Sequence, residues 1–175
     1  MPRTFTVSRS IMVKASPSVV YEQVSRPAQM GRWSPENLGA TVPGADEPAE
    51  AGVVFEGHNK RGTFRWTTRC TVTAAEPGRR FAFRVHAIGL KRPRLRAPIA
   101  TWEYRFKEVE EAGGAGTSTR VTETWTDDRR SWPDFVAGVF DRIATGGHTF
   151  AVFQARNIDR TLRNLKRELE SDPGL

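Results

Sequence analysis

Cysteine and histidine are scarce in this sequence, and their scarcity excludes several kinds of site. Cys70 is the only cysteine, so no internal disulfide can form and a thiolate metal site has too few ligands. The three histidines, His58, His86 and His148, are not spaced as metal ligands on one element. The sequence also contains no nucleophile elbow, phosphate-binding glycine loop or dinucleotide fingerprint. We therefore predict no metal and no cofactor.

Long apolar runs are missing as well. No segment approaches the roughly 18 consecutive apolar residues that a membrane span needs. The opening stretch, MPRTFTVSRSIMVKAS, lacks the continuous apolar block of a signal peptide. We expect a cytoplasmic protein without stable membrane insertion, folded as a single domain over residues 1–175. The sequence leaves monomer and homodimer open.

Positive charge exceeds negative charge, with a formal net charge of +7. Such a field attracts acidic ligands, nucleic acids and anionic membrane surfaces alike. The basic residues are scattered except in LKRPRLRAP (90–98) and RTLRNLKRELE (160–170), and the second patch has the pattern of the solvated side of an amphipathic helix. Because the first patch has no interleaved aromatic residues to stack on bases, we predict no nucleic-acid partner. Whether loop 90–98 has another partner stays open.

The first part of the chain predicts a strand followed by two short helices. Ile11 and Val13 share a face of the strand. Ser16 is placed to cap a helix that has Pro17 at its first position. A second helical turn is predicted to open at Pro27 and to end at Gly31.

From Gly52 to Thr126 the hydrophobic pattern has a period of two, interrupted by turn signals that include GHNKRG, AEPGRR and the proline-bearing LKRPRLRAP. The pattern predicts five strands, at 53–57, 63–72, 80–87, 99–109 and 119–126. Connections this short favour antiparallel neighbours. With the first strand and a brief one near Thr41, the sheet has six or seven members.

The end of the chain changes to helical spacing. Ser131 is a candidate cap, and apolar residues then recur every three or four positions as far as Leu169, with an interruption or bend predicted at Gly146 and Gly147. This apolar stripe is too long to leave in water, and the open face of a curved sheet is the one large apolar partner available. The long C-terminal helix is therefore predicted to lie across the sheet in an α+β fold.

Element order and local phrases together resemble the START-like helix-grip superfamily, also called SRPBCC, which includes polyketide cyclases and lipid carriers. The phrase ASPSVVYEQVSRPAQMGRWSP resembles its opening helical pair, and WEYRF followed by GTSTRVTETW resembles its late strands. The resemblance covers about residues 5–169 and is specific for fold but weak for activity, because members differ in what they bind or catalyse. It implies an elongated, mostly apolar cavity between the sheet and the final helix.

The inward side of the predicted strands is rich in large rings. Phe64 and Trp66 share one strand face, and the same spacing recurs in FAFRV and TWEYRF. Such rings either pack a core or line a cavity, and a concave sheet can do both, one at each end. The predicted ligand-binding residues are Trp33, Phe55, Phe64, Trp66, Phe83, Val85, Trp102, Tyr104, Glu123, Trp125, Phe150, Phe153 and Asn157.

Three polar residues are candidates for catalysis: Glu123, Tyr104 and His148. Glu123 lies between Val121 and Trp125 on the inward side, where desolvation raises a carboxyl pKa unless a cation or donor compensates. A buried ion pair with Arg9, which has inward parity in the first strand, is the structural alternative.

Two functions follow from these features. The first is a carrier or sensor that binds a hydrophobic small molecule such as a lipid, polyketide or aromatic metabolite. The second is a cofactor-independent enzyme of the polyketide cyclase or dehydratase type that uses general acid-base catalysis. Two titratable groups converging on an open cavity favour the enzyme, whereas a buried, charge-paired Glu123 favours the binder. A third possibility is an interaction module that uses loop 90–98.

Overall fold

The computed structural model describes residues 3–44, 47–114 and 116–171, with side chains throughout except at positions 140, 143 and 144. The predicted domain bounds, residues 1 and 175, lie outside the described residues. The elements run in the order β1 Thr6–Val13, α1 Pro17–Val24, a short 3-10 helix Pro27–Arg32, β2 Asn37–Thr41, β3 Val54–Arg61, β4 Phe64–Glu76, β5 Arg80–Gly89, β6 Leu95–Glu110, β7 Thr117–Asp127, α2 Asp134–Thr145 and α3 Phe150–Glu170.

Within the described ranges the strands form one seven-stranded antiparallel sheet in the order β1-β7-β6-β5-β4-β3-β2. All neighbours from β2 to β7 are consecutive in the chain, and β1 joins the sheet beside β7. The sheet curls around α3, with two short helical segments after β1. This is the helix-grip architecture that the family resemblance implies, with the larger of the two strand numbers that the sequence predicts.

Several strands are longer than their hydrophobic patterns indicate. GHNKRG was predicted as a turn, but β3 continues through it to Arg61, and the turn is confined to the residues around Gly62, where φ is +59°. Likewise β6 begins at Leu95, inside the predicted turn LKRPRLRAP. Both segments are polar strand ends whose backbone pairing is set by the neighbouring strand, which a hydrophobic pattern does not report.

The predicted interruption of the C-terminal helix is confirmed. α2 ends at Thr145, Gly146 and Gly147 both have positive φ, and Thr149 caps the start of α3. The predicted cap at Ser131 is wrong, because α2 begins later, with Pro133 at the N-cap position and no side-chain cap bond. A proline lacks the amide hydrogen that a helix start leaves unpaired and fixes a suitable φ, so it takes this place without a side-chain cap.

The sheet has a solidly packed end and an open end. At the packed end the ring of Tyr21 in α1 meets Phe81 and Phe106 edge-on, with centroids 6.4 and 6.0 Å apart. Val121 and the C-terminal half of α3, including Leu165, complete this core. α1 and the end of α3 fill this half of the curved sheet, and a cavity lies toward the start of α3.

The N-cap of α1 makes a testable contribution to stability. The Ser16 hydroxyl accepts a hydrogen bond from the Val19 amide at 3.4 Å, as the sequence predicts. We expect Ser16→Ala to lower the free energy of unfolding by about 1 kcal/mol, measured by chemical denaturation. The control is Ser18→Ala in the same turn, which we expect to change it by less than about 0.5 kcal/mol. Equal effects of the two substitutions would contradict a capping role for Ser16.

Candidate functional site: an apolar cavity between the sheet and helix α3

The open end of the sheet encloses a cavity of about 680 Å³. Its floor is the concave face of β3 to β7, and its roof is the N-terminal half of α3, with Phe150, Gln154, Asn157 and Thr161 facing inward. Alternate residues of each strand reach the floor, because successive side chains point to opposite faces. The volume falls within the range of about 300–1,000 Å³ that is typical of small-molecule sites.

The cavity walls are mostly rings and aliphatic side chains. Trp125 and Phe150 stack with centroids 6.1 Å apart, and Phe55 meets Phe83 edge-on at 5.4 Å. The Cys70 thiol also lines the wall, and burial raises its pKa to about 12 despite a weak hydrogen bond to Thr68. A thiol held neutral in this way behaves as a small apolar group.

Glu123 and Tyr104 form a hydrogen-bonded pair on the cavity floor. They are cross-strand partners of β7 and β6, and the Tyr104 hydroxyl donates to Glu123 Oε1 at 2.8 Å. Glu123 is only 1% exposed, and no hydrogen-bond partner of its Oε2 is found among the described residues. Burial raises the pKa of Glu123 to about 8, against the Tyr104 hydrogen bond, which lowers it. Burial and the neighbouring carboxyl hold the Tyr104 pKa well above its usual range.

The predicted buried pair of Arg9 and Glu123 is not found. The two residues are register partners on β1 and β7, as their parity predicts. The Arg9 side chain instead reaches outward, 48% exposed, and its Nε lies 3.8 Å from Oδ1 of Asp159 on α3. A long, flexible arginine at a sheet margin can keep its charge hydrated, whereas burial beside Glu123 would cost desolvation of both groups.

A second polar group lies at the open end of the cavity, around the buried side chain of Arg129. Its Nε and Nη2 donate to the two carboxylate oxygens of Asp127 at 2.9 and 2.8 Å, and Nη1 donates to Asp141 of α2 at 2.9 Å. Burial alone would lower the Arg129 pKa, but the hydrogen bonds and charges of the two aspartates raise it. The guanidinium also lies 4.9 Å from the centroid of the Phe150 ring. This cluster ties α2 to the end of β7.

An arginine also stands at the β3 side of the cavity. Arg61 pairs with Glu36, with Nη2 donating to Oε2 at 3.1 Å. Its guanidinium carbon lies 4.0 Å from the centroid of the Phe153 ring and 5.6 Å from that of Trp66. The contact links the end of β3 to α3, so the cavity roof is held at both margins by an arginine stacked on aromatic rings.

Most of the predicted ligand-binding residues lie in the cavity lining: Phe55, Phe64, Trp66, Phe83, Val85, Trp102, Tyr104, Glu123, Trp125, Phe150 and Asn157. Asn157 donates weakly to Gln154, at 3.5 Å, so both amides retain capacity to bond with a ligand. Contact with a ligand remains a prediction for all of these residues.

Three predicted site residues lie elsewhere. Trp33 is 1% exposed in the packed core, and its carbonyl accepts from Asn164 of α3. Phe153 is not in the cavity lining: it lies at the edge of the helix face that carries Phe150, whose ring it meets edge-on at 6.4 Å, and the Arg61 guanidinium covers it. His148 is exposed in the α2–α3 connection, so the structure does not bring it to Glu123 and Tyr104.

Arg129 is a buried site residue that is missing from the predicted site, although the sequence carries a signal for it. The inward parity that runs through Val121, Glu123 and Trp125 continues to Asp127 and Arg129. The predicted strand ends at residue 126, before the charged run DDRR, and so it stops short of Arg129. Within the described ranges, no group of three or more His, Cys, Asp or Glu side chains is arranged to hold a metal ion. In those ranges no helix is long and apolar enough to cross a bilayer.

Comparisons with known proteins agree with this architecture. No curated protein matches the sequence. The Polyketide_cyc-like protein Cgl2372 of Corynebacterium glutamicum is 27% identical, with a TM-score of 0.56 over 97% of this chain and 94% of that chain. XoxI of Bacillus cereus (13% identity, TM-score 0.61, coverage 96% and 97%) and the major latex-like protein 151 of Panax ginseng (10%, 0.57, 94% and 96%) share the fold alone. The profile of the family described as "Polyketide cyclase / dehydrase and lipid transport" matches residues 4–170, and the chain therefore belongs to that family.

Proposed function

We propose that the protein binds an apolar, ring-containing small molecule in the cavity and serves as its carrier or sensor. Family and fold are those of proteins that bind hydrophobic ligands. The observation that carries the proposal is a cavity of about 680 Å³ walled mainly by aromatic and aliphatic side chains. An apolar molecule gains free energy by leaving water for such a space, and the flat rings of the wall favour a flat ligand.

Glu123 supplies a polar anchor for this ligand. With a pKa of about 8, its carboxyl group is mostly protonated near neutral pH. Because Tyr104 already donates to Oε1, a proton on Oε2 can be donated to a ligand in the cavity. The preferred ligand therefore carries a hydrogen-bond acceptor, such as a ketone or quinone oxygen, on an otherwise apolar ring system.

A matched pair of probes tests the anchor. Fluorenone and fluorene are flat, do not titrate near neutral pH, and differ in a carbonyl oxygen against a methylene group. We expect fluorenone to bind about tenfold more tightly at pH 6.5, because one hydrogen bond to a buried donor is worth about 1–1.5 kcal/mol. The preference should disappear at pH 9.5, where the Glu123 carboxyl is ionised and has no proton to donate. Quenching of tryptophan fluorescence gives both dissociation constants.

Glu123→Gln is the control variant for this experiment. A glutamine accepts from Tyr104 through its carbonyl oxygen and donates through its amide at every pH, so the fluorenone preference should persist at pH 9.5. Ala100→Phe, which fills the cavity from β6, should abolish binding of both probes. If neither probe binds the wild-type protein, or if Ala100→Phe binds both unchanged, cavity binding is wrong.

A second candidate function is acid-base catalysis on an enolisable substrate. It is favoured by the convergence of two titratable groups, Glu123 and Tyr104, on the cavity, and by the absence of the Arg9 ion pair that would have held Glu123 charged. A carboxyl with a pKa of about 8 is suited to exchange protons near neutral pH. The ionised form would remove the proton next to a carbonyl group, and the acid form would return it.

Hydrogen exchange at the α-carbons of 2-tetralone in deuterium oxide, followed by proton NMR, separates the two functions. Catalysis predicts exchange faster than in buffer that Glu123→Gln reduces to the buffer rate while binding persists. Exchange at the buffer rate with wild-type protein, despite measurable binding of 2-tetralone, would leave the carrier or sensor function alone.

A further inference from the structure

Exposed apolar side chains collect at the open end of the molecule. Phe64 and Leu90 line the cavity and are nevertheless 57% and 68% exposed, so they mark its mouth. Leu95, 59% exposed, is the register partner of Ile88 beside them. Since single exposed apolar residues need no explanation but a clustered set does, this end of the protein has the character of a contact surface.

Helix α2 extends the same surface. It connects Trp132 to Gly146, both of which line the cavity, and it turns Phe135 and Val139 into solvent, the former 76% exposed. The opposite side of α2 is fixed by the buried bond between Asp141 and Arg129. The helix is therefore held in place with an apolar face uncovered.

Basic residues surround these apolar side chains. The loop between β5 and β6 carries Lys91, Arg92 and Arg94 directly after Leu90. Exposed Arg130 precedes α2, and exposed Arg142 lies in its last turn. Two acidic residues nearby are already paired with other arginines. Oδ1 of Asp134 lies 3.7 Å from Nη1 of Arg3, and Oε1 of Glu56 lies 2.9 Å from Nη2 of Arg69. The balance of charge around the mouth is therefore positive.

The loop also forms one wall of a surface hollow of about 500 Å³, lined by Glu56, Arg69, Arg92, Pro93, Arg94 and Arg96. The field here acts on neighbouring groups: the His86 pKa is lowered by burial first and then by the charges of Arg69, Arg96 and Arg84. A hollow with several guanidinium groups is suited to a phosphate, which arginine binds through paired hydrogen bonds.

We infer that the open end docks reversibly on an anionic phospholipid bilayer, with Phe64, Leu90, Leu95, Phe135 and Val139 entering the interface and the arginines of loop 90–94 on lipid phosphates. An apolar rim inside a basic surround fits that surface in both chemistry and charge. Docked in this way, the cavity mouth faces the acyl chains, and an apolar ligand passes between bilayer and protein without crossing water. That use of the surface rests on the proposed function, whereas the docking itself does not.

Co-sedimentation of the full chain with vesicles tests the docking. We expect binding to vesicles of phosphatidylcholine with one-third phosphatidylglycerol, weakened by added salt, and little binding to phosphatidylcholine alone. Arg92→Glu with Arg94→Glu should weaken the partition coefficient at least tenfold, since each basic residue near an anionic surface adds to the attraction. Phe135→Ser with Val139→Ser, both on α2, should weaken the partition coefficient about tenfold, because less apolar surface is then buried in the bilayer.

Matched controls lie at the packed end. Lys107→Glu with Arg120→Glu reverses two exposed charges that are register partners on β6 and β7, and Val54→Ser removes an apolar side chain that is 45% exposed. Both should leave vesicle binding unchanged. Equal weakening by these controls, or no binding of the wild-type protein to either vesicle, would overturn the inference.

Two further outcomes keep the proposals apart. If light scattering shows a dimer that Phe135→Ser with Val139→Ser converts to monomer, a second copy covers this face and the bilayer assignment is wrong. The fluorenone titration is run without vesicles, so its failure with intact vesicle binding refutes the proposed function alone. Fluorenone binding without vesicle binding refutes the docking alone.

Discussion

Arg129→Leu is expected to lower the free energy of unfolding by roughly 3–5 kcal/mol, because it leaves the carboxylates of Asp127 and Asp141 in a poorly solvated site without their shared cation. The Arg129 side chain is 3% exposed, and three of its nitrogen atoms donate to these two aspartates at 2.8–2.9 Å. Asp127 keeps the contact to Arg3 at 3.3 Å and the hydrogen bond from the backbone N–H of residue 129 at 3.0 Å, but it loses the two bonds from the guanidinium. Urea denaturation near pH 7 measures the loss.

Arg84→Leu is the control for this experiment. Arg84 is 58% exposed, and its Nε lies 3.8 Å from Asp128, so its loss should change the free energy of unfolding by less than about 1 kcal/mol. The loss of unfolding free energy for Arg129→Lys should lie between those for Arg129→Leu and Arg84→Leu. A lysine keeps the positive charge but lacks the planar guanidinium that bonds to both aspartates. If Arg129→Leu is no more damaging than Arg84→Leu, the cluster does not hold α2 in place.

Glu123→Gln is expected to change how stability depends on pH. In the unfolded chain the carboxyl titrates near its ordinary pKa of 4.5, and in the folded protein burial raises that pKa to about 8. At a pH below 4.5 the carboxyl is protonated in both the folded and the unfolded state, so Glu123 does not lower the free energy of unfolding. Between the two values only the unfolded state ionises, so the free energy of unfolding falls as pH rises. Above the higher value the full cost, on the order of 3–5 kcal/mol, is reached.

Glutamine stays neutral throughout, and it keeps the acceptor for Tyr104. The variant and the wild-type protein should therefore have similar stability at pH 4.5, and the variant should be several kcal/mol more stable at pH 9. Denaturant midpoints across this range give the difference, with Glu108→Gln, an exposed position on β6, as the control that follows the wild-type curve. Parallel curves for wild type and Glu123→Gln would show that the carboxyl is already ionised in the fold.

The two predictions bear on function because both clusters border the cavity. Under the proposed function, a ligand that carries a hydrogen-bond acceptor would hold the Glu123 carboxyl in its neutral form and so stabilise the folded protein at alkaline pH. The Arg129 cluster fixes α2, which carries part of the apolar surface at the mouth. The Glu123 pair therefore places polar groups on the cavity floor, and the Arg129 cluster holds the helix beside the cavity mouth.

The sequence by itself determined which residues face inward. Alternation in β7 placed Val121, Glu123 and Trp125 on one side, and all three are buried. The three-and-four spacing of α3 and the paired glycines before it fixed the long helix and its interruption. These features depend on local geometry, in which side chains alternate along a strand and recur along a helix, so a single sequence carries them.

Only the tertiary structure decided which inward residues pack and which enclose space. Phe81 and Phe83 have the same parity, yet Phe81 is packed against Tyr21 of α1 whereas Phe83 borders the cavity. Tertiary structure likewise sent Arg9 outward to Asp159 and folded Arg129 inward onto Asp127. A residue's parity fixes the face on which it lies, but what covers that face depends on helices distant in the chain. For charged side chains, the outcome depends on the cost of desolvation against the partners that those helices bring.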